Sequence, residues 1–133
     1  MTVVLDASAA IRAVLDRQNE TAILAVLDRA SPVITTDLFV AEVASGLWKY
    51  IITNQISIDD ATANLDAALD LVSAFYRIAD FAHEALREAG AQRHPVYDLY
   101  YIVLARRENA AILTTDGRMK EICRALHVPL ATS

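Results

Sequence analysis

The stretch that most constrains this chain is its first junction. Val3-Val4-Leu5 is a short β-branched and leucine run that stops at Asp6, and Ala7-Ser8-Ala9-Ala10-Ile11 then begins at helical spacing. An apolar run without polar alternation fits a strand buried on both faces, as at the centre of a parallel sheet. Ser8 is a good helix N-cap, because its hydroxyl can accept a backbone N–H that a helix start leaves unpaired. Asp6 then falls at the carboxyl end of a central strand, where open parallel α/β sheets bind ligands. A polar loop residue is the plainer reading of Asp6, and the junction alone does not choose between the two.

Further along, the same alternation recurs. Ile11, Val14 and Leu15, then Ile23, Leu24 and Leu27, mark two short helices, and Ser31-Pro32 breaks the second. Val33-Ile34-Thr35-Thr36 reads as a second strand, with Asp37 as N-cap of a long helix from about Leu38 to Thr53. That helix has a narrow polar strip of Glu42, Ser45 and Lys49, and is apolar on both sides of it. Ser57-Ile58-Asp59-Asp60 has the shape of a capping box and starts an amphipathic helix carrying Leu65, Leu69 and Val72. Phe75 to Ala79 is expected as a third strand, with Asp80 capping a helix that Gly90 ends. The apolar run after Tyr97 continues through Arg106-Arg107-Glu108, too long for a typical strand, and is read as a helix. Ala111 to Thr115 is then a fourth strand ending at Asp116, Gly117 to Leu126 a helix, and Val128-Pro129-Leu130 a last strand. Strands alternating with helices imply an α/β fold with a central parallel sheet, helices on both faces and right-handed crossovers.

The 133 residues suit one domain, residues 1–133, with no Pro, Gly or Ser tract to act as a linker. The N-terminus has no signal-like stretch, and no uncharged run approaches the roughly 20 residues that span a bilayer, so a cytoplasmic protein without a membrane partner is expected. The single cysteine, Cys123, cannot form an internal disulfide and at helical spacing with Met119 and Leu126 reads as a core thiol. A net charge of −5 argues against bulk electrostatic attraction to nucleic acid. Local contact stays open, because acids neutralised by metal beside Arg12, Arg93, Arg118 and Lys120 would suit phosphate. The hydrophobic fraction of 55% exceeds the usual range of about 45–50%, which hints at a partner-covered surface.

Four acids stand out by position: Asp6 after the first strand, Glu42 on the third helix, Asp98 opening the helix before the fourth strand, and Asp116 after that strand. Singly, each has an ordinary explanation as loop residue, wet strip, dipole partner or cap. If the first and fourth strands are neighbours, however, Asp6 and Asp116 leave the sheet side by side and the other two can close a ring. Close carboxylates repel unless a cation compensates them, and Mg²⁺ or Mn²⁺ prefers such oxygen ligands. A divalent metal there can acidify a water and polarise a phosphoryl oxygen. Ser8 and Thr115 are hydroxyl neighbours able to fix an acid or a water, and Arg12 and Arg118 are the best phosphate candidates. His83, His94 and His127 lack metal-ligand spacing, so no catalytic role is read for them.

Together, Val4-Leu5-Asp6-Ala7-Ser8-Ala9, the Glu42-Val43 pair, Tyr97-Asp98-Leu99-Tyr100-Tyr101 with Leu104-Ala105, and Leu113-Thr114-Thr115-Asp116 resemble the PIN domain family in order and interval. The resemblance covers essentially the whole chain and, among small members, is greatest to VapC-type toxins. It implies a parallel sheet of order 3-2-1-4-5 and a Mg²⁺- or Mn²⁺-dependent endoribonuclease acting on RNA, with Asp6, Glu42, Asp98 and Asp116 as the metal-binding catalytic set. It also implies a homodimer held inactive by a cognate antitoxin. Two rival readings are a phosphoaspartate-type phosphohydrolase or acceptor domain with Asp6 as nucleophile, and a catalytically silent binding module whose long apolar helix docks a partner. The first fits poorly, since Ser8 stands where a D-x-D pair needs its second acid.

Overall fold

In the computed structural model, which describes residues 1–131, one core is shared by all the elements. The strands are β1 (Val3–Leu5), β2 (Val33–Thr36), β3 (Ala74–Tyr76) and β4 (Ala111–Leu113). They form a parallel sheet of order β3-β2-β1-β4. Every residue of β1, β2 and β4 is buried, which is why these strands read as continuous apolar or threonine runs; β3, at the edge, leaves Phe75 exposed. The expected fifth strand is reduced to a single parallel bridge between Ile112 and Leu130. Pro129, which has no N–H to give to a ladder, limits that segment to an edge contact.

The helices are α1 (Ala7–Leu15), α2 (Thr21–Arg29), α3 (Leu38–Ile52), α4 (Ile58–Asp70), α5 (Ala82–Gln92), α6 (Val96–Arg107) and α7 (Gly117–Ala125). They cover both faces of the sheet. α1, α3 and α4 pack on one another, while α6 lies against β1, β2 and β4 and carries α5. At Gly46 a side chain would place its Cβ 2.3 Å from Ile11 Cδ1, so α3 approaches α1 through a residue that has none.

Several local expectations shift by a few residues. Ser57 caps α4 as the capping box requires, accepting the Asp60 N–H at 3.0 Å. Ser8, by contrast, lies inside α1, and Asp6 occupies the N-cap position with extended backbone (φ −83°, ψ 149°). Asp37 precedes α3 without capping it; its Oδ1 accepts the Ile78 N–H 3.1 Å away instead. The third strand ends at Tyr76, and Asp80 falls within a 3₁₀ turn, Ile78–Phe81, held by the buried Phe81. Gly90 does not end α5. The helix runs on to Gln92, where Arg93 turns left-handed (φ 53°) and Pro95 bars continuation.

Candidate active site

The sheet brings Asp6 and the segment after β4 together directly. The register Val3–Ala111, Val4–Ile112, Leu5–Leu113, continued by one residue, sets Asp6 opposite Thr114. Asp6 N–H donates to the Leu113 carbonyl at 3.0 Å, and the Thr35 hydroxyl donates to the Leu5 carbonyl at 2.6 Å, fixing the end of β1 from both neighbouring strands. Asp6 is 5% exposed. Its Oδ2 accepts from the Ser8 hydroxyl at 2.5 Å and the Thr114 hydroxyl at 2.7 Å. Ser8 Oγ and Thr114 Oγ1 are themselves 3.2 Å apart.

The supporting hydroxyls are therefore those of Ser8 and Thr114. Thr115, the residue expected beside Ser8, takes part through its backbone N–H, which donates to Ser8 Oγ at 3.1 Å. The reason is register: Thr114, not Thr115, is the cross-strand partner of Asp6.

Two helices bring the remaining carboxylates. Glu42, in the second turn of α3, accepts on Oε1 from the Tyr101 hydroxyl of α6 at 2.5 Å. Tyr101 is fully buried, and Asp98, one turn earlier on α6, has its Oδ2 2.7 Å from His94 Nε2. Burial pushes the Asp6 carboxyl above its ordinary range, its hydroxyl partners pull it back, and the Asp98 charge raises it again. Burial likewise raises Glu42, Tyr101 lowers it, and the charges of Asp6 and Asp98 raise it further. Tyr101 itself is raised by burial and by Glu42, so it stays a hydroxyl donor at neutral pH. Behind this group the buried Cys123 thiol is pushed up to about 12 by burial, with Asp6 and Asp98 adding to the shift; it is a core thiol.

Asp116 is placed differently. It caps α7, its Oδ1 accepting the Arg118 and Met119 N–H groups at 2.9 and 3.3 Å. Its own N–H donates to Thr114 Oγ1 at 3.1 Å, so it joins Asp6 through the threonine hydroxyl. Arg12 is exposed and lies 3.8 Å from Glu20, while Arg118 lines a polar recess of about 260 Å³ with Gln92, His94 and Glu121.

Among the described residues, no three His, Cys, Asp or Glu side chains are already drawn into a ligand cluster. The donor set nonetheless suits a hard cation: Asp6, Glu42 and Asp98 offer only oxygen, and the Asp98 charge raises both Asp6 and Glu42. Sequence reasoning missed Thr114, Tyr101 and His94. A signal for two of them was present, since His94, Asp98 and Tyr101 follow the i, i+4, i+7 spacing of one helix face.

Fold and site define a class first, an α/β domain that gathers carboxylates at the carboxyl end of its central strand. The chain belongs to the PIN domain family, whose profile matches residues 3–125. It is 34% identical over 134 residues to Ribonuclease VapC3 of Pyrobaculum aerophilum, covering 97% of this chain and 100% of that protein. Two crystal structures share the fold at lower identity. PAE2754 of Pyrobaculum aerophilum superposes with a TM-score of 0.72 at 18% identity, over 92% of this chain and 79% of that one. VapBC2 of Rickettsia felis, bound to a DNA fragment from their promoter, gives 0.69 at 17% identity, over 98% of this chain and 97% of the matched one. Among the described residues no helix is long and apolar enough to cross a membrane.

Proposed function

We propose that this chain, acting as one domain over residues 1–133, is a Mg²⁺- or Mn²⁺-dependent endoribonuclease and the toxin of a cytoplasmic toxin–antitoxin pair. The observation that carries the reading is the buried Asp6 carboxyl at the end of β1, held by the Ser8 and Thr114 hydroxyls and raised, like Glu42, by burial and by the charge of Asp98. Carboxylates that disfavour one another's ionised form are relieved by a compensating cation. Family membership and the 34% identity to a protein named as a ribonuclease support the same conclusion.

Asp6, Glu42, Asp98 and Asp116 would hold the ion or ions. When bound, the metal would supply Lewis acidity toward a phosphoryl oxygen and lower the pKa of a water that attacks the phosphodiester. Ser8 and Thr114 hold one Asp6 oxygen in place, and Tyr101 holds Glu42. Arg118 and Arg12 are the candidate phosphate contacts in an otherwise acidic chain. Purified protein is expected to cut RNA with Mg²⁺ or Mn²⁺ and to stop in EDTA, while Asp6→Asn abolishes cleavage. Full activity in that variant would sink the assignment.

The partner reading rests on the outer side of α3 and α4. Val40, Trp48, Ile52 and Ile58 are 40%, 54%, 55% and 66% exposed, beside a recess of about 180 Å³ that includes Leu47, Ile51 and Leu65. An apolar surface of this kind suits an interface, here to an antitoxin segment and a second copy of the chain. Light scattering on the purified protein should give the mass of a dimer; a monomer at high concentration would count against the homodimer.

A further inference from the structure

Histidine 94 sits between two helices and is held more tightly than a loop residue needs to be. Its N–H donates to the Ala89 carbonyl at 3.1 Å, Arg93 before it is left-handed at φ 53°, and Pro95 after it is the N-cap of α6. The backbone therefore has little freedom, and the imidazole is buried, with its side chain 7% exposed. Nε2 lies 2.7 Å from Asp98 Oδ2, whereas the buried Nδ1 has no hydrogen-bond partner. An ionised carboxylate can only accept, so Nε2 carries the hydrogen. Nδ1 then keeps a lone pair, which costs less to bury unpaired than an N–H does.

We propose that His94 is a positioning residue: its Nε2–H fixes the rotamer of Asp98 and presents that carboxylate to the metal. This rests on the metal-centre reading of Asp6, Glu42 and Asp98 given above. Groups that hydrogen-bond to metal ligands commonly alter metal affinity by about 10–100-fold when removed. A histidine serving only to tie α5 to α6 would contribute to stability and leave metal affinity alone.

Isothermal titration of the full chain with Mn²⁺ separates these. His94→Leu is expected to weaken binding by about 10–100-fold. His94→Gln, whose side-chain amide reaches the Nε2 position, should restore most of the affinity. Nitrogen-15 NMR of the metal-free wild type should show the Nε2–H tautomer, and this measurement needs no variant. An Nδ1–H tautomer, or His94→Leu with unchanged Mn²⁺ affinity, overturns the proposal. If His94→Leu fails to fold, His94→Asn, whose amide is one bond too short to reach Asp98, takes its place: a loss of about 10–100-fold with His94→Gln near wild type supports positioning, and unchanged affinity opposes it. Wild type that binds no Mn²⁺ removes the metal-centre reading and this proposal together. Wild type that binds, with loss on Asp98→Asn but none on His94→Leu, removes this proposal alone.

Discussion

Replacing Thr114 by valine keeps the side chain's shape and deletes one hydroxyl. That hydroxyl is 2% exposed as part of its residue, donates to Asp6 Oδ2 at 2.7 Å and accepts the Asp116 N–H at 3.1 Å. A hydrogen bond to an ionised acceptor contributes about 1.5–3 kcal/mol, and the Asp116 N–H, half-buried, recovers part of its loss from water. With Asp6 ionised, Thr114→Val should therefore destabilise the metal-free protein by about 2–3 kcal/mol. With an unfolding entropy on the order of 0.28 kcal/mol/K for this length, the melting temperature falls by about 7–11 °C. The deficit should shrink on acidification. Asp6 is already raised by burial and the hydroxyl pulls it back, so the variant raises it further; once Asp6 is protonated the missing bond is a neutral one of about 1 kcal/mol. Thermal denaturation in EDTA at pH 5 and 8, with Thr115→Val as comparison, measures all of this. Thr115→Val should lie within about 0.5 kcal/mol of wild type, as surface substitutions do. Equal losses for the two threonines, or none for Thr114→Val, would refute the register argument.

Because the folded-state values of Asp6 and Glu42 lie above their ordinary ones, the folded chain binds more protons than the unfolded one over that interval. Metal-free stability should consequently fall as pH rises from the ordinary carboxylate range through the raised values, and saturating Mg²⁺ should offset the fall; denaturant titrations across pH check the sign. For the same reason Asp6→Asn should raise metal-free stability at pH 8 while removing the Mg²⁺-induced rise in melting temperature, and a variant no more stable than wild type in EDTA would contradict the charge argument. At saturation of about 100 times Kd, that rise corresponds to about 2.7 kcal/mol in wild type. Tyr101→Phe removes the donor that lowers Glu42, so it should cost about 1–2 kcal/mol by urea denaturation and raise the Glu42 pKa measured by carbon-13 NMR.

The sheet was legible because a strand buried on both faces leaves a run such as Val3-Val4-Leu5, and Asp6 and Asp116 were legible because they follow such runs. Less was visible where chain contacts decide. Asp80 and Gly90 carry ordinary cap signals, yet Asp80 falls inside a 3₁₀ turn that ends at the buried Phe81, and α5 passes through Gly90 to end at Gln92. Thr114 and Thr115 look alike in sequence. Only the pairing of β1 with β4 says which hydroxyl meets Asp6. His94 lacks the spacing of a metal ligand, and its bond to Asp98 depends on the backbone turn at Arg93 and Pro95.

Diffraction from crystals grown with Mn²⁺, recorded for its anomalous signal, tests the account at its centre. The predicted result is a peak within coordination distance of the Asp6 and Asp98 carboxylates, absent in Asp98→Asn crystals. A Mn²⁺-soaked wild type with no peak there, or with its only peak at the α3–α4 surface, would contradict it.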